Sequence, residues 1–97
     1  MSLRYGWCNY IEGCRFTSNG IGLHTYNSAN NIDVVDCIFE GNDGTGIYAS
    51  GGAQYNIEGN VLEGNGGPGI IVMGAAGVQI ASNYFEKNCC PATPTTR

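Results

Sequence analysis

Four columns of residues recur at one interval along this chain. Cys14, Cys37, Asn60 and Asn83 are each 23 residues from the next, and Phe16, Phe39, Leu62 and Phe85 keep the same step. So do Ile11, Val34, Ile57 and Ile80, and so do Asn19, Asn42, Asn65 and Asn88. A fifth column, Leu23, Ile47 and Ile70, slips by one residue at its first member, where the loop NGIG is one residue shorter than NDGTG and NGGPG. Self-similarity at a fixed period of this length is the mark of a repeat architecture.

Inside each unit the apolar residues alternate: Ile32 and Val34, Tyr55 and Ile57, Val78 and Ile80. A period of two predicts strands with those residues on one face. A Cys or Asn follows as a turn residue, then a short strand carrying the Phe/Leu column, then an Asn with glycines. A third strand, GIYAS or GIIVM, completes the unit. Asn and Gly suit such turns because they tolerate positive φ best. Two or three short strands cannot bury their own apolar face, whereas stacked units bury a continuous core at the ~4.8 Å strand spacing. The expectation is an all-β chain forming a right-handed parallel β-helix, a solenoid of about four rungs of 23 residues. Its 97 residues make one small domain. Residues 1–7 form a lead-in with Trp7 as a lid, residues 8–88 the repeats, and residues 89–97 a tail that breaks the pattern with proline and threonine.

The units NIDVVDCIFEGNDGTGIYASGG and YNIEGNVLEGNGGPGIIVMG resemble the parallel β-helix repeats of the pectate-lyase-like superfamily, over roughly residues 8 to 88. That superfamily includes polysaccharide lyases, polygalacturonases, uronan epimerases, phage tailspikes and periplasmic copper-delivery factors. The resemblance implies an internal asparagine ladder at Asn60 and Asn83, interrupted below by Cys14 and Cys37, since sulfur lacks an amide's two donors and two lone pairs. These two thiols are expected to stack as neighbours and stay free, because disulfide geometry is demanding. The resemblance also implies an extracellular or periplasmic setting, although MSLRYGWCNY lacks the apolar region of a signal peptide. The catalytic motifs of the superfamily's enzymes are missing. Asn-Thr-Asp, Gly-His-Gly and Arg-Ile-Lys do not occur, nor does the Asp-Pro-His-Glu run of alginate epimerases. Arg15 lacks the aspartate cluster that a calcium-dependent lyase sets around its arginine, its nearest acid in sequence being Glu12.

Charge narrows the partners. Four Lys and Arg stand against eight Asp and Glu, a net charge of −4. Duplex nucleic acid and anionic membranes both select clustered cations, so neither is expected as a partner. No apolar run approaches a membrane span. The five cysteines are an odd number in spacings that match no zinc pattern, and GNGGPG lacks the Lys-Ser/Thr of a phosphate loop. No cofactor and no metal ligand set is predicted.

Candidate binding residues lie on outward positions. If Leu23, Ile47 and Ile70 point inward, then His24, Tyr48 and Ile71 point outward, followed two residues on by Tyr26, Ser50 and Met73. Tyr26, Tyr48 and His24 would form an amphipathic platform for a sugar ring. Glu40, Glu63 and Glu86 form an outward acidic column whose plainer reading is a solvated edge. Ile71 and Met73, with Tyr48, instead suggest an interface, since an apolar patch rarely faces water alone.

Three functions fit. The first is a non-catalytic β-helix module of a carbohydrate-directed protein that binds or spaces along polysaccharide. The second is a fragment of a lyase, hydrolase or epimerase whose active groove lies on other rungs. The third is a structural element that self-assembles into a homo-oligomer through open solenoid ends or the third-strand face. The inside/outside assignment itself is testable. Ile57→Asp should abolish the strand signature in circular dichroism, because an unpaired charge in the core is costly; a stably folded variant would reverse the assignment.

Overall fold

The computed structural model describes residues 1–89, apart from the side chains of residues 4–7 and 27–28. The lid expected of Trp7 and the tail expected beyond Cys89 therefore lie outside the described residues. Ten strands follow one another: β1 (Ser2–Glu12), β2 (Arg15–Thr17), β3 (Leu23–Val35), β4 (Ile38–Glu40), β5 (Ile47–Ser50), β6 (Ala53–Glu58), β7 (Val61–Glu63), β8 (Ile70–Met73), β9 (Ala76–Ala81) and β10 (Tyr84–Glu86). No helix among the described residues is long and apolar enough to cross a membrane.

Every strand pair is parallel, and together they build three walls. The C-terminal parts of β1 and β3 pair with β6 and β9 in the first wall, aligning Ile11, Val34, Ile57 and Ile80. In the second wall, β2, β4, β7 and β10 align Phe16, Phe39, Leu62 and Phe85. The third wall holds the start of β3 with β5 and β8, aligning Leu23, Ile47 and Ile70. Four strands in the second wall confirm the expected four rungs. The one-residue slip sits where the sequence places it. Phe16 pairs with Phe39 at 23 residues and Thr17 with Glu40 likewise, while Leu23 pairs with Ile47 at 24.

The core follows from period two. Leu23, Ile32, Val34, Phe39, Ile47, Ile57, Leu62, Ile70 and Val72 are wholly or almost wholly buried. Phe16 stacks on Phe39 at 4.8 Å with the rings 6° from parallel, so the column is a continuous pile of rings and aliphatic groups. Tyr55 is the polar exception. Its hydroxyl donates to the Gly51 carbonyl at 2.8 Å and accepts from Thr25 Oγ1 at 2.6 Å, tying the first wall to the third through the core. Gly46 closes the second corner. A Cβ there would lie 2.8 Å from the Gly69 carbonyl and 3.1 Å from Leu62 Cδ2, so only glycine lets these rungs approach.

The corners differ in one respect from the expectation that asparagines supply the positive φ. Left-handed residues recur every 23 positions, and three columns have four members each: Cys8, Asn31, Gln54, Gly77; Gly13, Asp36, Gly59, Ser82; and Ser18, Gly41, Gly64, Lys87. Asn42, Asn60, Asn65 and Asn83 are not among them. In the second and third columns the bend is made one residue earlier, which leaves the following asparagine free to point its amide inward and along the solenoid axis.

Two ladders result. In the expected one, Asn83 Oδ1 accepts from the backbone N–H and the Nδ2 of Asn60, both at 2.9 Å. Asn60 Nδ2 also donates to the Val34 carbonyl at 2.9 Å, and its Oδ1 accepts from Cys37 N–H at 2.9 Å. A second ladder runs through the column that had been read as turns alone. Asn42 Nδ2 donates to Asn65 Oδ1 at 2.9 Å and Asn65 Nδ2 to Asn88 Oδ1 at 2.8 Å, with Asn42, Asn65 and Asn88 each donating back to a carbonyl 26 residues earlier.

Cys37 partly stands in for an asparagine. Its buried thiol donates to the Ile11 carbonyl at 3.5 Å, the bond that Nδ2 makes in the rungs above. It has no second donor to give to Asn60 Oδ1, the bond that Asn60 Nδ2 makes to Asn83. Cys14 and Cys37 are free thiols, as expected, and burial pushes the Cys37 thiol pKa up. Asn65→Ala should therefore cost roughly 1–3 kcal/mol for each buried group it leaves open, read as a lower midpoint in urea unfolding. Cys37→Asn should extend the first ladder by one rung and raise the midpoint, by about 1 kcal/mol for one added hydrogen bond.

Candidate functional site

Strand alternation sends every second residue of the third wall outward, and there the expected aromatic residues meet. The His24 ring stacks on Tyr26 two residues along its own strand, at 4.2 Å and 25°. It stacks also on Tyr48 of the next rung, at 4.9 Å and 18°. The latter separation is close to the ~4.8 Å at which parallel strands repeat, so the rings continue the solenoid's own spacing. Tyr48 Oη donates to Met73 Sδ one rung further on, at 3.3 Å. Ile71 is half-buried and Met73 is 51% exposed. The wall thus carries a graded strip, aromatic on its lower rungs and aliphatic on the upper one.

The glutamates do not join that strip. Glu40, Glu63 and Glu86 stand in register on β4, β7 and β10, which belong to the second wall. Their surroundings differ along the column. Arg15 reaches Glu40 across one rung with Nη1 to Oε1 at 2.8 Å, an exposed pair worth little in stability. Tyr84 donates to Glu86 Oε1 at 2.6 Å, and that bond, followed by the charge of Glu86, raises the Tyr84 phenol pKa. Tyr10 is raised similarly, first by the charge of Glu12. Sequence distance hid both the Arg15–Glu40 pair and its separation from the tyrosines. Both follow once the 23-residue register is drawn. The described residues hold no group of three or more His, Cys, Asp or Glu side chains placed to bind a metal ion.

Chemically, the third wall offers aromatic surface, two phenol hydroxyls and a thioether on a rigid parallel sheet, while the second offers a row of carboxylates. Strands this regular, with residues matched rung by rung, define a class of protein in which a solenoid carries its surface chemistry as parallel stripes. A family scan matches residues 1–93 to the right-handed beta helix region, and the chain belongs to that family. No curated protein and no solved structure matches it. Spectrophotometric titration checks the local electrostatics. In Glu86→Gln the Tyr84 phenol should ionise at lower pH than in the parent, because both leading causes of its upward shift are removed.

Proposed function

We propose that this β-helix is a non-catalytic module of a carbohydrate-directed protein, binding or spacing along a polysaccharide. The observation that carries the reading is the Tyr26–His24–Tyr48 stack on the outward face of the third wall. A pyranose ring presents an apolar C–H face flanked by hydroxyls, and tyrosines answer both with a π-face and a polar handle. The stack commits much of the ring surface to ring–ring contact, so a sugar would use its outer faces and the phenol hydroxyls. The ring spacing along the axis suits a chain whose sugar units follow one another at a similar interval. A non-catalytic role fits the disposition of the charged groups. Arg15 is paired with Glu40, the glutamates lie on a different wall from the aromatic stack, and His24 is held by two rings.

The test is affinity electrophoresis of the chain against a panel of neutral and acidic polysaccharides, followed by calorimetry on any that retard it. Retardation by at least one polymer is expected, with Tyr48→Ala losing about 1–2 kcal/mol of binding if one stacking contact is removed. Glu63→Gln, on the other wall, should bind as the parent does. Absence of retardation by every polymer, in a sample folded by circular dichroism, would overturn the reading.

A further inference from the structure

Cys14 and Cys37 are 23 residues apart in the chain, yet the fold sets one directly above the other. Arg15 and Ile38, the residues that follow them, pair in register, and Ile38 N–H donates to the Cys14 carbonyl at 2.9 Å. The two side chains also share one local posture. Cys14 Sγ donates to the carbonyl of Glu12, two residues back, at 3.5 Å, and Cys37 Sγ to that of Val35, likewise two back, at 3.4 Å. The same posture on adjacent rungs sets the sulfurs apart by about the strand spacing, ~4.8 Å. Both thiols are free.

That separation is wrong for a disulfide and right for one bridging atom. A disulfide needs sulfurs ~2.05 Å apart and Cβ atoms within ~4.5 Å, and parallel side chains one rung apart hold both pairs farther off. A metal–thiolate bond is ~2.3 Å long, so two of them in a line span nearly the whole gap. The carbonyls of Glu12 and Val35 lie on the same rungs as the thiols they accept from. Each Cβ–Sγ bond therefore runs roughly in the plane of its rung. An ion on the axis between the sulfurs would meet both at close to a right angle, as divalent sulfur favours.

The surroundings say what kind of ion. No third His, Cys, Asp or Glu side chain is grouped with the pair among the described residues, so the set suits linear two-coordination and not the tetrahedral shell of zinc. Thiolates are soft donors that select Cu(I)-like ions. Burial is the largest influence on the Cys37 thiol and raises its pKa, while the backbone amides of Cys14 and Gly13 lie against the sulfur and favour the thiolate. A bound cation resolves that conflict. It neutralises the charge that burial penalises and leaves both N–H groups their acceptor.

We propose that Cys14 and Cys37 form a two-coordinate site for a soft monovalent cation of the Cu(I) and Ag(I) type, which ties the first rung to the second where the asparagine ladder gives out. Binding displaces both thiol protons: two neutral thiols and one M+ give an anionic S–M–S unit and two H+ in solution. The bond lost from the Cys37 thiol to the Ile11 carbonyl, at 3.5 Å, is a weak one.

Silver is the probe, because Ag(I) needs no reductant to persist in solution. The full chain is loaded with Ag(I) in an excess of a monothiol, which strips the ion from single cysteines, and weighed by native mass spectrometry. The parent should retain one ion that Cys14→Ser and Cys37→Asn both lack and that Cys8→Ser keeps. Counting by difference takes the chain's other cysteines out of the result. Silver should also raise the thermal midpoint of the parent and of Cys8→Ser but not that of Cys14→Ser, since a ligand of the folded state alone stabilises it. Cys37→Asn, expected to be more stable than the parent, separates loss of the ion from loss of the fold. Equal silver content in the parent and Cys14→Ser, or a site lost in Cys8→Ser but kept in Cys37→Asn, would overturn the proposal.

Discussion

The vertical hydrogen bond between stacked asparagine amides is the interaction on which the rest depends. A turn that carries the chain from one wall to the next leaves backbone groups that neither wall can satisfy. Burying them unpaired would cost more than the modest core of a chain this size offsets. At two of the three corners the amide resolves this. One oxygen accepts from the rung below while one nitrogen donates both to the neighbouring amide and back to a carbonyl, as Asn65 does toward Asn42, Asn88 and Phe39. Each bond also fixes the height of one rung above another, so the apolar columns cannot slip by a residue and turn their side chains outward.

The ladder in turn needs the left-handed residue that precedes each of its members. Gly41 and Gly64 take that conformation without strain. Ser18, Asp36, Ser82 and Lys87 take it in equivalent positions although their side chains disfavour it. The arrangement tolerates that local cost because it is held from both sides by parallel strands. Cys37 shows the limit of substitution. A thiol keeps the back-bond to Ile11, and the Cys37 N–H still donates to Asn60 Oδ1, but the side-chain bond to that oxygen is lost, so the first ladder stops one rung short while the second continues to Asn19. The N-terminal rung is therefore less tightly tied at one corner than at the other.

The same regularity that builds the core writes the surface. Each column of outward residues becomes a stripe along the axis: Tyr48 follows His24, and Glu63 follows Glu40.

How much of this was legible beforehand divides along a physical line. The 23-residue interval, the inward columns of Ile57, Phe39 and Ile47 and the slip at the NGIG loop could all be read from spacing, and the ladder at Asn60 and Asn83 was implied by the family resemblance. Repetition converts sequence distance directly into vertical adjacency. The pairing of Arg15 with Glu40 and the stacking of His24 between two tyrosines were not evident, because they depend on side-chain reach and rotamer once the rungs are stacked. Nor was the role of the Asn42 and Asn65 column. An asparagine suits a left-handed turn and an inward ladder equally well, and only the backbone angle of the residue before it decides between them. The sequence by itself determined which residues lie above which, since a fixed period leaves one register that buries every apolar column. The tertiary structure decided what those neighbours do to one another, because hydrogen bonds and ring contacts are settled within a few tenths of an ångström that spacing alone does not carry.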